Sequence, residues 1–145
     1  MRNENQMVLS FSSRSSNESF ARAAVAAFVS QLDPTLDELA DIKTAVSEAV
    51  TNAIVHGYQN SDGYVALSCT LEGDEVTIKV SDAGRGIPNI PLAIRPMYTQ
   101  SDDSERSGMG FTVMETFMDT MHVESEPGRG TVVTMTKTIN RHKSC

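Results

Sequence analysis

The chain has no apolar run near the roughly 18 residues that a membrane helix needs, so no span is expected. Cysteine is scarce: of two in all, Cys69 lies in a strand pattern and Cys145 is the last residue. A disulfide framework is therefore not expected. Positive charge is also short, with 12 Lys and Arg against 19 Asp and Glu and a net charge of −7. Nucleic acid wants a basic surface, so direct binding to it is not expected. Residues 1–6 lead into a strand-like pattern and not into the apolar stretch of a signal peptide. There is no internal repeat and no sign of a second domain. The expectation is a cytoplasmic protein with one domain over residues 1–138 and a frayed, disordered tail at 139–145. An apolar content of 39% and 145 residues suffice for a proper core.

Residues 7–13 alternate apolar and polar, as a half-buried strand does. Ser16-Asn17-Glu18 opens a helix reaching about Leu32, and Asp33-Pro34-Thr35 breaks it. Thr35 and Glu38 form a capping box for a second helix, which runs to His56 with Gly57 as its C-terminal cap. Strand patterns follow at 64–71 and 75–81, joined by the hairpin signal Glu72-Gly73-Asp74. From 88 to 107 the chain is irregular and polar. A helix returns at 108–120, and a hairpin over 122–126 and 131–138 turns at Pro127-Gly128-Arg129-Gly130. Five strands with three main helices predict a two-layer α/β (α+β) sandwich, helices covering one face of a mainly antiparallel sheet.

On the second helix Ala45, Val46, Ala49, Val50 and Ala53 make a buried arc, and Thr44, Glu48, Asn52 and His56 a polar border stripe. Such a stripe can be a solvated face. Asn52 argues for a cleft, because asparagine is a poor choice inside a helix on propensity alone. Its amide oxygen can join the shell of a Mg²⁺ that keeps water and phosphate oxygens. Glu48, one turn away, can accept a proton from an attacking hydroxyl or water. Asp82 ends a strand and precedes Gly84 and Gly86, which either make a surface turn or let the backbone approach a ligand. In Arg106-Ser107-Gly108-Met109-Gly110-Phe111 a polar loop enters a helix, either as an ordinary glycine-containing start or as a phosphate site. The loop 97–105 before it has no apolar periodicity and reads as a lid able to order over a ligand.

In this order and spacing, the segment from Glu48 to Ala53 and the segment Asp82-Ala83-Gly84-Arg85-Gly86-Ile87 resemble the ATP site of the GHKL superfamily, the Bergerat fold of histidine kinases, type II topoisomerases and mismatch-repair clamps. The resemblance implies that ATP and Mg²⁺ bind. Asp82 then accepts from the adenine amino group, Ile87 packs on the ring, and Thr131 stands near the base. Thr99, Ser107, Gly108, Met109, Gly110 and Phe111 join the nucleotide contacts, with Arg106 near the γ-phosphate. The run from Glu48 to Tyr58, taken with Glu105–Phe111, is similar to the anti-sigma serine kinases of spore-forming bacteria over roughly residues 4–138. That similarity implies a homodimeric serine/threonine-protein kinase that holds a sporulation sigma factor (sigma-F) inactive. It also implies phosphorylation of a serine on an anti-anti-sigma protein. Related lids tend to carry a basic residue in their first half, whereas residues 97–105 have none and three acids.

Arg22 is the only charge between Phe20 and Val29. With Phe20, Ala24 and Phe28 facing the core, Val25, Ala26 and Val29 would form a second apolar face beside Arg22. Loops of the monomer could cover it, or it could meet the sigma factor or a dimer mate. Other readings remain: an anti-sigma-B-type stress-response kinase, or an ATP-gated sigma-binding module without transfer. A histidine kinase catalytic domain is less expected, since no helical hairpin with a phospho-acceptor histidine precedes the pattern.

Overall fold

The computed structural model describes residues 4–58, 62–84 and 110–139. Within them lie strands β1 (Glu4–Ser12), β2 (Tyr64–Glu72), β3 (Glu75–Asp82), β4 (Thr120–Glu126) and β5 (Gly130–Thr138). The helices are α1 (Asn17–Val29), α2 (Leu36–Asn52) and α3 (Gly110–Phe117). All pairings are antiparallel and the sheet order is β1-β2-β3-β5-β4. Helices cover one face, so the expected α+β sandwich is the fold.

Register explains the core. Opposed residues of an antiparallel pair present their side chains on the same face. Leu9, Leu67, Val80, Val133 and Val123 therefore form one row across all five strands, and Met7, Cys69, Ile78, Met135 and Met121 form the next. Both rows lie in or against the buried core. Burial pushes the Cys69 thiol up to about 12, so it behaves as a small apolar side chain. From above, α2 supplies Ala45, Val46, Ala49 and Val50 of the expected arc, joined by Ile42, and the arc's last member, Ala53, is buried just past the end of α2.

The capping box stands as read from the sequence. Glu38 N–H donates to Thr35 Oγ1 at 3.1 Å, and Thr35 N–H donates to Glu38 Oε1 at 2.8 Å. Two helical expectations are corrected. The α-helical part of α2 ends at Asn52, and Ala53–Gly57 widens into a π-helical turn before reaching Tyr58. The phase of α1 is also turned from the expected one, although Phe28 does pack, partly buried, against the core. Ala21, Val25 and Val29 are fully buried, while Phe20 is 53% exposed. Small and β-branched residues at i, i+4 and i+8 let α1 lie close against α2, where Phe20 would hold the helices apart. Arg22 is half-buried at the border, 3.6 Å from Glu18 of the preceding turn.

The short α3 is pinned at both sides. Met114 is fully buried, and Lys137 of β5 donates through Nζ to the Phe117 carbonyl at 2.8 Å. Thr138 N–H donates to Asp119 Oδ2 at 2.7 Å. These contacts fix where the helix is seated against the sheet, which matters for the site.

Candidate functional site

The alternation of β3 runs Val76, Ile78, Val80, all buried, and the next place on that face belongs to Asp82. Register aligns Phe11, Val65, Asp82, Thr131 and Ser125 in a single row. The row is thus apolar at one end, with Phe11 and Val65, and polar at the other, with Asp82, Thr131 and Ser125. Asp82 and Thr131, 49 positions apart in sequence, stand directly opposite each other. The Asp82 carboxylate accepts N–H groups from Gly84, at 2.9 Å, and from Thr131. Burial pushes its pKa above the ordinary 3.8, and the two N–H donors pull part of the way back. Its oxygens have lone pairs beyond these two bonds with which to accept a ligand amino group.

Ser125 was not singled out in the sequence. Its hydroxyl donates to the Gly130 carbonyl at 2.9 Å and lies 2.8 Å from Thr131 Oγ1. A carbonyl can only accept, so the single Ser125 proton goes there and Thr131 donates to Ser125. The pattern Met121, Val123, Ser125, in which a hydroxyl replaces an apolar residue at the period of two, was the available signal. Gly130 has φ +105°, and a Cβ there would collide with the Asp82 carbonyl. Only glycine lets β5 start this close to the end of β3.

The polar stripe of α2 runs from exposed Thr44 to half-buried Glu48 and Asn52. What lies against the latter two is Gly110 of α3. A Cβ placed on Gly110 would lie 3.2 Å from Glu48 Oε2, 3.2 Å from Asn52 Nδ2 and 3.4 Å from Asn52 Oδ1. The structure therefore brings Gly110 of α3 onto the expected carboxylate and amide. One carboxylate and one amide oxygen suit Mg²⁺, which keeps waters and phosphate oxygens as its other ligands. They are too few for an all-protein cage, and no cluster of three or more His, Cys, Asp or Glu is present among the described residues. Phe111 is partly buried against the core. Gly86, Ile87, Thr99, Arg106, Ser107, Gly108, Met109 and the lid loop 97–105 lie outside the described residues.

A family model described as a histidine kinase-like ATPase domain matches residues 11–137. The chain is 59% identical over 137 residues to an anti-sigma F factor of Clostridium kluyveri, covering 94% of this chain and 96% of that one. It is 57% identical over 139 residues to an anti-sigma F factor of a Thermoanaerobacter species, covering 96% and 97%. Among solved structures, the RsbU and RsbW domains of Rv1364c from Mycobacterium tuberculosis superpose with a TM-score of 0.66 at 22% identity. That match covers 93% of this chain and 32% of the other. A blue-light activated histidine kinase of Erythrobacter litoralis gives a TM-score of 0.59 at 20% identity, covering 85% and 42%. These two likenesses are of fold.

Proposed function

The chain belongs to the anti-sigma F factor family, built on a histidine kinase-like ATPase domain, and from that premise we propose an ATP-dependent protein serine kinase that also binds and restrains a sigma factor. Its substrate is a serine on an anti-anti-sigma protein, its client a sporulation sigma factor of the F type, and its working form a homodimer. The observation that carries the kinase reading is the seat of Gly110 on Glu48 and Asn52. That contact sets a candidate base and a candidate metal ligand against the helix whose glycine-containing start is the expected phosphate site, where backbone N–H groups favour an anion.

The chemistry follows from the residue types. Phosphoryl transfer asks the protein mainly for positioning and charge neutralisation. Asp82, held by two N–H donors, accepts from the adenine amino group and orients the base. Asn52 would hold Mg²⁺ through its amide oxygen, and the ion would supply charge neutralisation at the phosphates. Glu48, one turn earlier on the same face, takes the proton of the attacking serine hydroxyl late in the transfer.

Glu48→Gln tests this. Shape and hydrogen bonding persist but the base is gone, so single-turnover phosphorylation of the protein substrate should fall by about 10²–10⁴. ATP binding and sigma capture in a pull-down should survive, because neither needs the proton transfer. Near-normal transfer by this variant would remove Glu48 as the base. Absence of transfer in the unsubstituted protein would leave an ATP-gated binding module instead.

A further inference from the structure

Tyr58 is named by no step above, yet its hydroxyl joins three separate parts of the chain. It follows the π-helical turn that ends the Glu48–Asn52 helix. Its Oη donates to the Tyr64 carbonyl, at the start of β2, at 2.6 Å. The same oxygen accepts the N–H of Ala83, the residue after Asp82, at 2.9 Å. A carbonyl cannot donate and an amide N–H cannot accept, so the direction of both bonds is fixed. Phenol and amide thereby hold the backbone on one side of Gly84, whose own N–H is taken by the Asp82 carboxylate. The ring has a made place as well: a Cβ on Gly63 would overlap its edge carbons.

We infer that Tyr58 is a positioning residue for base recognition, clasping the Asp82–Gly84 turn to the end of the helix that carries Glu48 and Asn52. This rests on the adenine-binding reading of Asp82. Neither partner of the phenol is a residue assigned above to phosphate or metal. Loss of the clasp should therefore be felt by the base and not by the polyphosphate, and this separates it from a general structural role. The widened turn after Asn52 gains a purpose too, since it delivers the phenol to both partners.

The test uses the full chain with Mg²⁺ and two probes, ATP and inorganic tripolyphosphate, measured by calorimetry. Tyr58→Phe keeps the ring and deletes both hydrogen bonds. It should weaken ATP by about five- to tenfold, the scale of one or two lost hydrogen bonds, and shift tripolyphosphate by less than about twofold. Gly63→Ala, which evicts the ring from the other side, should give the same selective loss, and the two changes together should cost no more than either alone. Should Tyr58→Phe melt below the assay temperature, Gly63→Ala decides by the same criterion. Equal weakening of both probes, or unchanged ATP affinity, overturns the assignment. Asp82→Ala serves as the control. If it erases the preference for ATP while Tyr58→Phe keeps it, the clasp alone is wrong. If it leaves the preference intact, the adenine reading of Asp82 fails and the clasp falls with it.

Discussion

Asp82 occupies a place where the pattern of its strand calls for another valine, and the cost of that exchange is electrostatic. Burial disfavours its charged form, so the folded chain holds the proton more tightly than the unfolded chain does. The linkage has a definite sign. This contribution to stability is present below the ordinary value of 3.8 and is lost as pH rises through the raised folded value. Urea unfolding from about pH 4 to about pH 7 should therefore show the stability of the native protein falling relative to Asp82→Asn. A difference that stays flat with pH would put the carboxylate in open water. Residue type alone made Asp82 legible, because a carboxylate that ends an alternating apolar strand is conspicuous. Tyr58 gave no such signal. An aromatic after a helix reads as core or surface until its partners, at positions 64 and 83, are seen.

At the scale of elements, α2 is the beam on which the site hangs, and its start is set by a reciprocal cap. Thr35→Ala should cost about 0.5–2 kcal/mol, the usual range for a lost N-cap. Because Thr35 and Glu38 satisfy each other's backbone, the pair Thr35→Ala with Glu38→Ala should cost clearly less than the sum of the single losses. Denaturant unfolding of the three variants measures it, and strict additivity would mean the two bonds are independent. The cap and the buried arc were both readable, since each is a local relation within one or two turns. The phase of α1 was not. Phe20, Ala24 and Phe28 are as apolar as Ala21, Val25 and Val29, and the choice fell to how closely the helix can approach α2. The change from α to π after Asn52 was likewise silent, because it serves contacts made far along the chain.

For the whole molecule, ligand binding and folding are linked. A ligand that binds only the folded form stabilises it by mass action, by about 2.7 kcal/mol at a concentration one hundred times its Kd. ATP with Mg²⁺ should therefore raise the melting temperature of this protein. Asn52→Ala should lose the part of that rise that depends on Mg²⁺ while keeping its circular dichroism. A full Mg²⁺-dependent rise in that variant would exclude Asn52 as a ligand. The proposed contributors lie on α2, α3, β3 and β5, so this stabilisation reports on the whole fold and not on one element.

The order of the elements and the residue types of the site are legible in the chain alone. Helical and strand periodicities, the Thr35–Glu38 box and the polar residues at apolar periods are written within a few positions of one another, where local geometry governs. The tertiary structure alone decided which of them meet. That Asp82 faces Thr131, that Ser125 accepts a hydrogen bond from the Thr131 hydroxyl, and that Gly110 closes over Glu48 and Asn52 depend on strand register and helix seating. A slip of one residue would turn each strand side chain to the other face, and only the packing of apolar rows across five strands forbids it.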